Sequence, residues 1–308
     1  MKIIGSISEI EGDQKLGITI GNFDGLHLGH KDLLTQVADH CHKGDLKFLV
    51  ITFIPHPSQI LFPQPSFLLN TYAGKRQLLK DYGVKYLLEI PFTRNFSTLS
   101  PEEFLCEVIL KDQRVSSIFM GYDFAFGKNK KGNYQFVKDY CSDKDISVCL
   151  QEEFKKGDKK VSSSEIRKQL KAGDISQANS LLGRPYFLTG TVIKGKGRGK
   201  QIGIPTANLD FLPECLVPKK GVYLTESYCG SESFKSVTNI GVNPTFENSE
   251  TLHVESHILD FSQNIYGESI EVHFLARLRD EKKFENKEQL VRQIQADILK
   301  AGEWQEND

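Results

Sequence analysis

The sequence predicts two domains of different class: an α/β domain on a parallel sheet, then an all-β domain of antiparallel strands with a terminal helix. Three observations carry this. A chain of 308 residues is long for one domain. Up to about residue 173, strand-like and helix-like runs alternate, the pattern of a parallel sheet with helical crossovers. From Tyr186 onward the strand-like runs are separated only by Gly, Pro, Asn and Ser turns, the texture of an antiparallel barrel or sandwich. The change falls within GDISQANSLLGRPY (residues 173–186), and the domains are set at 1–182 and 183–308.

The elements follow in chain order. KLGITI (15–20) is a short apolar strand, and LLTQVADHC after it has leucines and valine at helical spacing. KFLVITFIPHP (47–57) is apolar throughout rather than alternating, as a parallel strand covered on both faces should be. GKRQLLKDYG (74–83) reads as a helix stopped by Gly83, and VKYLLEIPF (84–92) as a strand. Ser100, Pro101, Glu102 and Glu103 open a helix with a serine cap, a first-turn proline and two acids. VSSIFMG (115–121) and ISVCLQEEF (146–154) are strands; NYQFVKDYC (133–141) and SSSEIRKQLKAG (162–173) are helices. In the second half YFLTGTVIKG, GVYLTESY, FKSVTNIGV, LHVESHILDF and SIEVHFLARL are strands, and NKEQLVRQIQADILKA (286–301) is an amphipathic helix.

Composition narrows the function. A net charge of −1 and a pI near 6.7 exclude a strongly basic nucleic-acid binder, though not a local basic pocket. The longest apolar run, FLVITFI (48–54), falls far short of the roughly 20 residues of a membrane helix. MKIIGSISEIEG lacks the apolar core and cleavage site of a signal peptide, so a cytoplasmic location is expected. The six cysteines include no C-x-x-C pair and are read as buried reduced thiols.

GNFDGLHLGH (21–30) organises the first half, placing His27 and His30 where a strand gives way to a helix. The first N–H groups of a helix lack intrahelical partners and its dipole favours negative charge, so a phosphate fits there. A histidine pair alone is equally a metal half-site or a surface feature. The whole stretch resembles the H-x-G-H signature of the nucleotidyltransferase superfamily, in the form found in prokaryotic FAD synthetases. The resemblance implies a Rossmann-like domain in which His27 and His30 contact the ATP phosphates and stabilise charge on the α-phosphate, with Gly21, Phe23 and Gly29 in the binding loop. Thr52–Pro57 matches the family's T-F-x-P-H-P segment, which implies that His56 and Pro57 line the flavin and nucleotide cleft. GYDFAFG (121–127) matches the loop that holds adenine, ribose and flavin, with Asp123 as polar contact and Phe124 and Phe126 as stacking surfaces. Ala125 stands where the family more often has arginine, and two phenylalanines at a strand end are also commonly core. VSSSEIRK (161–168) matches S-S-T-x-I-R; Ser163, Ser164 and Arg167 would form a second jaw on the phosphates, with Ser164 keeping the hydroxyl of the usual threonine. GKNKKGN and KKGDKK are read as solvated turns, the second as a hairpin.

In the second half, GKGRGKQIGIPTANL (195–209) is neither a Walker A loop nor G-x-G-x-x-G. Gly195, Gly197, Gly199 and Gly203 nevertheless make a flexible loop loaded by Lys194, Lys196, Arg198 and Lys200, suited to closing over phosphate. Thr206 and Asn208, two apart on a strand, face one side. Spacing alone would favour a surface hairpin there. The segment resembles the riboflavin kinase signature, however, whose threonine and asparagine bind Mg–ATP; that implies Mg²⁺ at Thr206 and Asn208, and phosphate at Gly195 and Lys200. GVY (221–223), TNIGVNPTF (238–246), VESHILDF (254–261), IYG (265–267) and LRDEKKF (278–284) extend the resemblance, implying an antiparallel barrel of riboflavin kinase type. Alternation puts His253, Glu255 and His257 on one strand face, which on pattern alone reads as solvated. The family makes the glutamate matching Glu255 the general base, and Arg279 a phosphate or flavin contact.

The expectation is therefore a bifunctional riboflavin kinase/FMN adenylyltransferase: ATP phosphorylates riboflavin to FMN, and a second ATP adenylylates FMN to FAD. Its expected partners are riboflavin, FMN and ATP with Mg²⁺, without nucleic acid or membrane, and the chain is expected as a monomer or weak homo-oligomer. Alternatives are a flavin-binding regulatory protein with one dead site, or an adenylyltransferase for another phosphorylated substrate.

Overall fold

A computed structural model describes residues 1–195, 197, 199–244 and 250–304, which pack as two compact units. The first comprises residues 1–65 and 72–162; the second comprises 66–71 and 163–308.

In the first unit β1 (Lys2–Ile4), β2 (Leu16–Ile20), β3 (Lys47–Ile54), β4 (Tyr86–Pro91), β5 (Val115–Gly121) and β6 (Ser147–Gln151) form one parallel sheet, in the order β1-β4-β3-β2-β5-β6. The connections carry α1 (Leu28–Lys43), α2 (Pro57–Leu61), α3 (Tyr72–Asp81), α4 (Pro101–Phe104) and α5 (Tyr134–Tyr140). Both faces are covered, which explains the unbroken apolar run of β3. Leu49, Ile51 and Phe53 join a core that includes Phe104 and Val137, whereas Phe48 and Val50 join one that includes Leu33, Val37 and Leu79. Strand order reverses between β2 and β5, the switch point of a Rossmann-like sheet. Ser100 caps α4 as expected: its hydroxyl accepts from Glu103 N (3.1 Å) and Glu103 Oε2 accepts from Ser100 N (2.7 Å). The KKGDKK hairpin is present as β7 (Lys155–Lys156) and β8 (Lys159–Lys160).

The second unit holds α6 (Ser163–Ala172), α7 (Ile175–Leu182), six strands and α8 (Lys287–Glu303). The strands are β9 (Tyr186–Ile193), β10 (Ala207–Phe211), β11 (Gly221–Cys229), β12 (Glu232–Pro244), β13 (Glu250–Ile258) and β14 (Ser269–Arg279). They close a barrel in the order β10-β13-β12-β11-β14-β9, every pair antiparallel, so of barrel and sandwich the barrel is realised. Val222, Leu224 and Val237 pack outward with Ile298, Ala301 and Trp304 of the C-terminal segment. The alternate residues point inward, and among them Thr225, Ser227, Ser236, Thr238 and Ser256 are fully buried. Their hydroxyls bond to one another at 2.7–3.1 Å. A buried hydroxyl left without a partner costs about 1–3 kcal/mol, so only a closed network keeps this polar lining tolerable.

β1, α2 and α7 are elements that the periodicity did not reveal. The packing boundary, between residues 162 and 163, also precedes the expected division at 182/183. α6 and α7 join the barrel: Asn179 Nδ2 donates to Phe274 O (2.7 Å) and Lys219 N to Leu170 O (3.0 Å). The strap at 66–71 joins it too. Phe67 N and Leu68 N donate to Glu214 O, both at 2.7 Å, and Leu216 N donates back to Leu68 O (2.7 Å). All six cysteines are free, but only Cys41, Cys141 and Cys215 are buried; Cys106 is exposed, against the expectation of buried thiols throughout. No helix among the described residues is long and apolar enough to cross a membrane.

Candidate active sites

In the first unit, loops leave β2, β3 and β5 at the same end of the sheet, where the strand order reverses. Open α/β sheets bind ligands at such a place. Gly21 N donates to Ile51 O (3.0 Å) and Thr52 Oγ1 to Asn22 O (3.2 Å), so the first two loops are tied together. The turn between β2 and α1 is strained: φ is +49° at Phe23, +83° at Gly25 and +44° at Leu26. Left-handed backbone at a non-glycine residue costs about 1–3 kcal/mol. Phe23 and Leu26 are both fully buried, and burying such a side chain contributes about 1.5–3 kcal/mol, enough to hold the turn.

That turn delivers the histidines. His27 is the N-cap of α1, and its Nδ1 accepts from His30 N (3.2 Å). Nδ1 being the acceptor, the proton of the neutral ring lies on Nε2. The two rings stack at 3.7 Å with 12° between planes, and Phe23 lies 5.2 Å from His30. His30 is half-buried, and its Nδ1 is enclosed with no hydrogen-bond partner. Loss of hydration, then the nearby His27 and Lys75, hold its pKa well below the usual imidazole value. Gly29 brings α1 close to the His27 ring: a Cβ there would lie 3.3 Å from it, and one on Gly21 would lie 3.1 Å from the Phe23 ring.

The supporting residues are ones the sequence did not single out. Gln151, at the end of β6, donates to Gly29 O (3.0 Å) and Asp32 Oδ2 (2.8 Å), pinning the first turn of α1. Lys75 of α3 is 5% exposed and donates to Thr52 Oγ1 (3.1 Å) and Asn22 O (3.4 Å). A signal for Lys75 existed: it stands four residues before buried Leu79, hence on the apolar face of its helix.

The other predicted residues fall into three groups. His56 is buried and caps α2, its Nδ1 accepting from Ser58 N (3.1 Å), with Pro57 at the first helical position; the Ile54–Pro55 bond is cis. Asp123 is exposed at the end of β5, whereas Phe126 lies in the core 4.7 Å from Phe104, so the packing alternative describes it. Phe124 packs against the same core. Ser163, Ser164 and Arg167 belong to the second compact unit, where Arg167 Nε donates to Phe67 O (2.9 Å) and the guanidinium covers the Phe67 ring at 3.8 Å.

In the barrel the register of three strands builds the site. Asn208 of β10 is paired directly with Glu255 of β13, and Glu255 in turn with Asn239 of β12. Directly opposed residues share a sheet face with Cβ atoms about 4.5–5.5 Å apart, so the three form one row on the outside of the barrel. Glu255 is half-buried. Two glycines of the glycine-rich segment approach β10 at the Asn208 end of this row. A Cβ on Gly195 would fall on the Asn208 amide, so any side chain there must displace that amide. A Cβ on Gly199 would lie 3.4 Å from Thr206 Oγ1. His257 Nδ1 and Pro205 O, at 2.7 Å, fasten the start of β10 to β13. Lys196, Arg198 and residues 245–246 lie outside the described residues, and Lys200 is described only by its backbone, which opens a 3-10 turn. Among the described residues no group of three or more His, Cys, Asp or Glu could hold a metal ion. Arg279, expected at phosphate or flavin, is bound to buried Asp297 through Nε (2.9 Å) and a terminal nitrogen (2.7 Å), and gives its other nitrogen to Asp280 O (3.0 Å).

A switch-point site with paired imidazoles, joined to a closed barrel carrying a glycine loop and a carboxylate, defines a nucleotidyltransferase fused to a phosphotransferase. Family models agree with both halves: FAD synthetase matches residues 9–165 and riboflavin kinase residues 182–305. The bifunctional riboflavin kinase/FMN adenylyltransferase of Bacillus subtilis is 35% identical over 94% of this chain and 93% of its own. That of Escherichia coli K12 is 32% identical over 99% of this chain and 98% of its own. The chain belongs to the bifunctional riboflavin kinase/FMN adenylyltransferase family. A crystal structure from Streptococcus pneumoniae, described as a macrolide-efflux protein, superposes with a TM-score of 0.88 at 32% identity and covers 99% of both chains.

Proposed function

We propose that this chain converts riboflavin to FMN in the barrel and FMN to FAD at the switch-point site, each at the expense of one ATP, with the functional division at 1–182 and 183–308. The observation that carries the reading is the strand register that sets Glu255 beside Asn208, whose amide Gly195 packs against. In the first step Glu255 accepts the proton of riboflavin's terminal hydroxyl, the oxygen attacks the γ-phosphorus of ATP, and ADP leaves. Gly195 and Lys200 border the phosphates, and Thr206 and Asn208 supply a hydroxyl and an amide oxygen to a cation. Mg²⁺ fits such a sparse neutral pair, because it keeps several waters and takes phosphate oxygens. When bound, it neutralises phosphate charge.

In the second step an FMN phosphate oxygen attacks the α-phosphorus of ATP and pyrophosphate leaves. The nucleophile is already ionised, so no base is needed. His27, His30 and the loop of Gly21, Phe23 and Gly29 orient and neutralise, and Ser163, Ser164 and Arg167 complete the phosphate set. His56, Pro57 and Asp123 border the flavin with Phe126 behind them; Arg279 joins the kinase site if it releases Asp297. The protein is read as a cytoplasmic monomer or weak homo-oligomer without nucleic-acid or membrane partners.

The test is purified protein with riboflavin, ATP and Mg²⁺, its flavins resolved by chromatography. FMN followed by FAD is expected. Absence of both products rejects the enzyme reading, and FMN alone rejects the transferase half.

A further inference from the structure

We propose that Lys75 is an additional positioning residue for adenylyl transfer, a buried ammonium that ties the 21–24 loop to the end of β3 and holds positive charge beneath the incoming phosphates. This deepens the adenylyltransferase reading and rests on it. Lys75 Nζ bridges Thr52 Oγ1 (3.1 Å) and Asn22 O (3.4 Å), and Thr52 Oγ1 itself donates to Asn22 O (3.2 Å). One cation thus joins the ends of β2 and β3 below the histidine turn. Both its hydrogen-bond acceptors are neutral oxygens.

The charged groups around it are few. Asp24 in the loop and Glu89 on β4 act on it from a distance and favour the charged form; Arg76 beside it opposes. Glu89 is already committed to Arg76, in a two-bond pair at 2.8 and 2.6 Å. On α1, His30 is the group that Lys75 in turn disfavours as a cation. The Tyr72 ring lies 5.3 Å below the ammonium. Dehydration dominates and lowers the Lys75 pKa to about 8. A buried ammonium without a hydrogen-bonded carboxylate is an electrostatic deficit, and a polyphosphate arriving at the histidine turn supplies the missing negative charge. Without nucleotide, the same ammonium adds to the loss of hydration and the nearby His27 in disfavouring a charged His30.

The experiment follows FMN adenylylation from supplied FMN and ATP between pH 6.5 and 9.5, in wild type, Lys75→Met and Lys75→Gln, with riboflavin phosphorylation measured on the same samples. Both variants should lose about 10–100-fold in kcat/KM for ATP at pH 7, since a small misplacement of reacting groups costs up to about 10²-fold. The ratio of wild type to variant should shrink above pH 8 as the wild-type ammonium loses its proton. A side chain that served only as packing would give a ratio independent of pH. That result, or variants with the wild-type rate, overturns the proposal. Kinase activity reports that the barrel is intact, and far-UV circular dichroism that the α/β unit is folded. If neither variant folds, the wild-type profile decides: it must fall through a pKa near 8 that the kinase reaction lacks, and a flat profile overturns the proposal. Wild type that makes no FAD defeats the adenylyltransferase reading itself, a result distinct from either.

Discussion

The α/β site and the barrel site, both proposed to receive ATP phosphates, are built from opposite materials. At the switch point the polar groups are fixed before any ligand arrives: buried His27 stacked on half-buried His30, a dehydrated lysine and a turn held in left-handed backbone by buried Phe23 and Leu26. In the barrel the row of Asn208, Glu255 and Asn239 lies on an outer, partly wet face, with Gly195 packed against the Asn208 amide. The first arrangement commits electrostatic energy during folding. The second leaves dehydration to the moment of binding. The contrast matches the chemistry: a phosphate nucleophile is ionised already and needs only positioning, whereas a hydroxyl needs a base that can exchange its proton.

Substitutions can break this comparison. The largest effect is expected for Glu255→Gln, which should lower riboflavin phosphorylation by about 10²–10⁴-fold and leave adenylylation of supplied FMN intact. Joint loss of both activities in folded protein would contradict the division of labour. His30→Asn should do the reverse, lowering FAD formation by about 10²–10³-fold while FMN accumulates, as for loss of one preorganised donor at a developing charge.

A stability experiment sharpens the contrast in preorganisation. The folded-state pKa of Lys75 is about 8 against 10.5 for the free side chain. The unfolded chain therefore binds more protons between these values, and stability rises with pH across that window. Below pH 8 the charged lysine costs about 3 kcal/mol, so Lys75→Met should be more stable by up to that amount at pH 7 and lose the advantage towards pH 10.5. Urea unfolding can read the two units apart. The one tryptophan, Trp304, packs on the barrel, so its fluorescence reports that unit, while circular dichroism follows both. A variant equal to wild type at pH 7 would mean that the ammonium is not dehydrated. The smallest effect is expected for Gly195→Ala, about tenfold in kinase KM for ATP, because the new methyl must displace the Asn208 amide. An unchanged KM would show that Asn208 moves without consequence.

Much of this was legible in the sequence because it is local. Caps, turns and apolar periods are written over a few residues, and so are the H-x-G-H and P-T-A-N stretches. What was not legible depends on distant segments. Asn239 becomes a neighbour of Glu255 only through the β12–β13 register, and Gln151 meets α1 only because β6 lies beyond β5. Lys75 shares the Leu79 face of its helix by spacing, but its partners Thr52 and Asn22 appear only once α3 is laid on the sheet. Phe126 shows the converse. Its position two residues after Phe124 fits a stacking site or a core equally, and Phe104, 22 positions earlier, decides for the core.

The strap at 66–71 bears on any attempt to study the halves separately. A fragment starting at 183 would lack it, and with it α6 and α7. Glu214 O would lose two donors, Leu216 N its acceptor, and Val217 N the Ser66 hydroxyl at 3.2 Å. Each such group, if left buried, costs about 1–3 kcal/mol, a large share of the stability of a domain this size. Gene dissection at the proposed 182/183 border would thus yield a barrel weakened by missing backbone partners, with every residue proposed for its chemistry still in place.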